Sequence, residues 1–286
     1  MLAALALASL LPACGPAERG PTAGGGGAPR RIVALAPNLT EIAFALGMGD
    51  RVVGVSDYAT WPPEVRKLPR LGGLVDPNLE RLLALEPDLV LLLPSQEEVA
   101  LRLAGIGVET LVVEIETVPD LEAAVVAVAE RLGAPGAGRE LAATLRRELA
   151  PRPLAGAPKT AVVPDRVPGR TEGLIVAGPR TYFDELLGRL GAENAFADAP
   201  LRYPQVGVEE LLARGPGAIL EVRAEPPSEA LRRRLIADWR RFPALPAVAR
   251  GDVYVLGGDW ALVLGPRLPI LYRRMAEALG RAAEGP

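Results

Sequence analysis

Two stretches, PNLERLLALEPDLVLLL at Pro77–Leu93 and VGVEELLARGPGAILEV at Val206–Val222, carry nearly the same message. Each opens with a glutamate in the first turn of a predicted helix. Each runs through Leu-Leu-Ala, breaks at a proline and enters an apolar strand. Glu80 aligns with Glu209, 129 residues further on. The leucines and the proline are what any helix-to-strand step needs for packing and termination. A first-turn glutamate is favoured by the helix dipole, but its recurrence at an equivalent point is not required by packing.

Reading outward from these copies, apolar runs of strand length alternate with helical patterns. RIVALAP, VVGVS, DLVLLLP and VETLVVEI read as strands before residue 121; KTAVVPD, GLIVAG, AILEV and DVYVLGG read as strands after residue 150. Alternation of this kind builds βαβ units and a mainly parallel sheet. Leu121–Ala150 has helical spacing with no strand, and a kink is expected near Pro135. The predicted fold is therefore α/β, with two Rossmann-like lobes bridged by a long helix and a ligand cleft between the lobes. The expected segments are 1–14, a lipoprotein signal; 15–29, a tether; 30–134, the first lobe; 135–157, the connecting helix; and 158–286, the second lobe.

Composition narrows the function. The 286 residues are 49% hydrophobic and 23% charged, with a net charge of −3, which suits a core-forming protein. It lacks the basic surface of a nucleic-acid binder. Histidine is absent, which removes the commonest general base and metal ligand. The single cysteine, Cys14, allows no internal disulfide. It follows a short apolar run that resembles a bacterial lipoprotein signal, MLAALALASLLPAC, with Cys14 as the lipidation site. GPAERGPTAGGGGAPR then reads as a flexible tether. The folded part is expected outside the cytoplasmic membrane, in the periplasm or at the cell surface, held by lipid. No nucleophile–His–Asp set, phosphate loop or dinucleotide fingerprint occurs, so the chain is not expected to be an enzyme.

NLTEIAFALG, VVGVSDYATWPPE, NLERLLALEPDLVLL, YFDELLGRLGAENAF, RYPQVGVEELLARGP and GGDW occur in the order that resembles ABC-transporter substrate-binding proteins of the helical-backbone class, and most of all their cobalamin-binding branch. The resemblance runs from about Arg31 to Leu279. It implies that Glu80 and Glu209, one per lobe, dock on arginines of a two-fold permease dimer, with the chain acting as a monomer. It also implies ligand contacts at Tyr58, Tyr203, Asp259 and Trp260. Trp61 and Tyr182 are added because they too fall in loops or helix starts at element ends, where an α/β lobe presents a ligand. Leu74 and Leu93 stand where the family carries tryptophans, so the cleft has less stacking surface.

The expected ligand is a corrinoid, with no resident cofactor or metal. The alternatives are haem, for which only Tyr58 or Tyr203 supplies an axial ligand, and a ferric siderophore, whose negative charge Arg180, Arg202 and Arg223 would meet. A zinc or manganese site is disfavoured without histidine.

Overall fold

The computed structural model describes residues 27–164 and 166–284; the expected lipidation site Cys14 lies outside them. The first lobe runs β1 (Ile32–Ala34), α1 (Pro37–Ala45), β2 (Val52–Val55), α2 (Leu79–Ala84), β3 (Leu89–Leu92), α3 (Glu97–Ala104) and β4 (Thr110–Val112). Its sheet is wholly parallel in the order β2-β1-β3-β4. All four residues of β3 are buried, as an inner parallel strand covered on both faces requires.

Two helices follow, α4 (Val118–Arg131) and α5 (Pro135–Glu148). The second lobe then runs β5 (Thr160–Pro164), β6 (Leu174–Ile175), α6 (Tyr182–Arg189), β7 (Gln205–Val206), α7 (Val208–Arg214), β8 (Ala218–Arg223), α8 (Glu229–Trp239), α9 (Pro246–Arg250), β9 (Val253–Gly257) and α10 (Leu268–Glu284). β5-β8-β9 form a second parallel sheet, and β6 pairs antiparallel with β7.

The two repeats build the same place in each lobe. α2 feeds β3, which lies between β1 and β4; α7 feeds β8, which lies between β5 and β9. A helix that precedes a parallel strand runs back along it, so its first turn sits at the strands' carboxyl ends. Both first-turn glutamates therefore face the same side as the loops that follow the strands.

The single connecting helix expected at 135–157 is instead part of a helical hairpin. Gly133, at φ 77°, and Pro135, in the first turn of α5, end one helix and start the next. α4 and α5 pack antiparallel: Arg146 donates to Glu122 at 3.0 Å. Helix stops at Glu148, and residues 149–157 return to the second lobe without it. Their carbonyls are met there, Leu149 by Arg189 at 2.8 Å and Ala150 by the Tyr272 hydroxyl at 3.0 Å.

One apolar core crosses the lobe boundary. Leu39, Leu121 and Val125 share it with Leu186, Leu271 and Met275, all fully buried. Smaller cores fill the far face of each sheet, with Trp239 at the centre of the second.

The helix-to-strand turn differs between the copies. Gly215 takes φ 59° at the end of α7, and the equivalent residue in the first lobe is Glu86, at φ 43°. A side chain in the left-handed region costs about 1 kcal/mol. Glu86→Gly is expected to raise stability by about 1 kcal/mol, or less after the entropic cost of glycine in the unfolded chain; unchanged or lower stability in urea denaturation would show that Glu86 is not strained.

Candidate functional site

The loops at the carboxyl ends of the strands carry most of the ligand-binding residues expected from sequence. Tyr58 follows β2 and is 61% exposed. Its loop is held by Arg70, which donates to the carbonyls of Ser56 and Ala59 at 3.0 and 2.5 Å, and by Asp57, which accepts from the Gly72 amide at 3.1 Å. Trp61, from the same loop, is 41% exposed. Leu74 and Leu93 are half-buried against the core. The buried amide of Gln96 ties them together, donating to the Leu74 carbonyl at 2.9 Å and accepting from the Leu93 amide at 3.1 Å.

Tyr203 is carried by a segment that runs alongside residues 174–178. Val176 donates to Pro204 at 3.1 Å and Gly178 to Arg202 at 2.7 Å. A Cβ at Gly178 would come within 2.4 Å of the Leu201 carbonyl oxygen, so only glycine allows this approach. Tyr203 is 38% exposed. Burial, then repulsion from Glu116, pushes its phenol up to about 12, against the opposing pull of Arg202. Tyr182 lies beside it but is 7% exposed, stacked on Phe183 within the core. Burial holds its hydroxyl well above the ordinary tyrosine value. Of the six expected ligand residues, it offers least surface. Asp259 and Trp260 follow β9; the indole of Trp260 folds over Gly258 and packs on the core.

Sequence reading missed the residues that join the two sides. Arg267, just before α10, donates to Asp259 Oδ1 at 2.7 Å and to the Asp259 carbonyl at 3.1 Å. The terminal nitrogen that meets the Asp259 carbonyl also donates to Glu41 Oε1 at 2.5 Å, across to α1 of the first lobe. The guanidinium also sits 4.8 Å from the centre of the Trp61 ring, within cation–π range. Glu41 and Arg267 side chains are 4% and 12% exposed. Burial raises the Glu41 carboxyl, and Arg267 opposes that rise. In sequence Glu41 reads only as part of a helix start, because its partner is 226 residues away.

The arginines expected for a siderophore are dispersed. Arg202 donates to Glu116 at 2.8 Å across the lobes. Arg223 donates to the Arg166 carbonyl at 2.8 Å and lies 3.7 Å from Glu221. Arg180 is exposed, with φ 59°. A hollow of about 970 Å³ beside Arg30, Asp88 and Glu109 lies at the amino ends of β1, β3 and β4, away from these loops. Among the described residues, no cluster of three or more Cys, Asp or Glu is arranged to hold a metal.

A model of periplasmic binding proteins matches residues 32–259. The chain belongs to the periplasmic binding protein family. It is an ABC-importer substrate-binding protein of the helical-backbone class, with two α/β lobes. The vitamin B12-binding protein of Salmonella typhimurium is 30% identical over 255 residues, covering 88% of this chain and 90% of that protein. The crystal structure of the periplasmic vitamin B12-binding protein BtuF of Vibrio cholerae superposes with TM-score 0.72 at 28% identity, over 89% of this chain and 98% of that one. The periplasmic haem-binding protein BhuT, solved with two haems, superposes with TM-score 0.75 at 27% identity, over 90% and 100%. Family membership implies a periplasmic location.

Glu80 and Glu209 are exposed in the first turns of α2 and α7. One turn on, Leu83 and Leu212 occupy equivalent positions and are 39% and 38% exposed.

Two measurements probe the site directly. Arg267→Met leaves the Glu41 carboxylate buried without its partner, and is expected to cost about 3 kcal/mol in chemical denaturation; a loss under about 1 kcal/mol would show the pair to be dispensable. Ultraviolet titration of the protein against Tyr203→Phe should place the missing tyrosinate signal near pH 12; its appearance near pH 10 would show that the phenol is not shielded.

Proposed function

We propose that the chain is an extracytoplasmic lipoprotein that binds a corrinoid and delivers it to the permease dimer of an ABC importer. The observation that carries this reading is the cleft rim. The rings of Tyr58, Trp61 and Tyr203 are exposed and Trp260 is half-buried, and Arg267 links Trp61 to the carboxylate of Asp259. Rings offer flat apolar area to a broad macrocycle, and a carboxylate accepts hydrogen bonds from its amide side chains. The vitamin B12-binding relatives support the same choice. The leucines at 74 and 93 leave the rim rings to supply most of the stacking.

Haem or a ferric siderophore is the second reading, favoured by the likeness to BhuT. Against haem, the chain has no histidine, which leaves Tyr58 and Tyr203 as the axial ligands at hand. Calorimetric titration with cyanocobalamin, haem and a ferric siderophore separates the readings. One-to-one binding of cyanocobalamin alone is expected. Binding of only an iron ligand would keep the transport role and change the cargo.

Glu80 and Glu209 would pair with one cation on each permease subunit, giving register on a two-fold partner. Leu83 and Leu212 place an apolar contact on the same helix faces. Glu80→Ala with Glu209→Ala is expected to leave ligand affinity within about twofold and to abolish uptake; lost affinity in the double variant would sink the docking role. Cys14 would carry the lipid, so Cys14→Ser should move the protein from the membrane to the soluble fraction.

A further inference from the structure

Arg267 brings a positive charge beside Asp259 and Trp61, yet three of its five N–H donors are already taken. One terminal nitrogen is on Asp259 Oδ1, the other on Glu41 Oε1 and the Asp259 carbonyl. Its Nε is buried with no partner, as is Glu41 Oε2, which lies against Gly265. The guanidinium carbon sits over the Trp61 ring, 4.8 Å from its centre. An incoming carboxylate or phosphate would meet a guanidinium already paired with two carboxylates. What remains open to the cleft is the other side of the Asp259 carboxylate, whose side chain is 40% exposed. That oxygen accepts and cannot donate.

We propose that Glu41, Arg267 and Asp259 form a charge filter in the cleft, which admits ligands presenting neutral or cationic hydrogen-bond donors and rejects those presenting an anion there. This rests on the corrinoid reading for the identity of the cargo, but the filter itself is set by charge. One guanidinium faces two carboxylates. Even with Glu41 protonated, Asp259 still balances Arg267, so the triad offers no unmatched positive charge. Holding Arg267 from both lobes also fixes where Asp259 and the Trp61 ring stand. Arg267 is thus a positioning residue: it aims the acceptor without touching the ligand. A corrinoid's primary amides are the donors this acceptor suits. An acid in place of the facing amide meets a carboxylate at hydrogen-bond distance, and the like charges repel.

The test compares cyanocobalamin with its isolated monocarboxylate isomers, each with one amide hydrolysed, on wild-type protein and on Asp259→Asn and Glu41→Gln. At least one isomer should bind wild-type more than tenfold more weakly than the parent. Asp259→Asn should shrink that gap to about threefold or less. Isomers that all bind within threefold of the parent, or an acid that binds more tightly, would overturn the filter. A second measurement needs no cargo. Trp61 and Trp260 report local charge through quenching of their fluorescence by caesium and iodide at matched ionic strength. Relative to free N-acetyltryptophanamide, caesium should quench wild-type more efficiently than iodide, and this normalised ratio should fall in both variants. A ratio favouring iodide, or one unmoved by Asp259→Asn, would overturn the proposal. Silence towards cyanocobalamin would end the corrinoid reading alone, and the quenching ratio would then decide the filter.

Discussion

A carboxylate and a guanidinium 2.5 Å apart, both nearly sealed from water, stitch α1 of the first lobe to the start of α10 in the second. Taking two charges out of water is costly unless each keeps its partner. The pair therefore tolerates one arrangement of the lobes and penalises others. Around it the apolar core runs continuously from one lobe to the other. Separating the lobes would wet that core and strand both charges. A largely preformed cleft follows, with little ordering to pay for when a ligand arrives.

The same constraint organises the site. Arg267 spans from Glu41 to Asp259 and lies over Trp61, so the acceptor and the ring on opposite lobes are held by one side chain. The other rim groups are held locally. Tyr58 rides on a loop closed by Arg70 and Asp57, and Tyr203 on a segment paired with residues 174–178. Several motifs that carry the family resemblance act as such supports. In YFDELLGRLGAENAF, Asn194 bridges the Gly178 carbonyl at 3.2 Å and Asp184 at 2.9 Å, fixing the strand extension next to Tyr203.

The α/β alternation, the duplicated helix-to-strand step and most of the rim aromatics were legible in the sequence, because periodicity and turn residues act over a few positions. The hairpin of α4 and α5 was read as one kinked helix. The helical spacing continues on both sides of Pro135, and only the packing of Glu122 against Arg146 shows that the chain reverses. Tyr182 looked like a cleft residue from its place at a helix start, but which way a first-turn ring turns depends on neighbours such as Phe183.

By itself, the sequence determined the two-lobed class, the equivalence of Glu80 and Glu209, and the placing of aromatic residues at the ends of elements, since each is written in local pattern and order. Only the tertiary structure decided which charges are free to meet that ligand. Glu41 and Arg267 lie 226 residues apart and have no local signature. A charge shows its role only when its partner, its burial and the face it leaves open are known, and all three are properties of the folded chain.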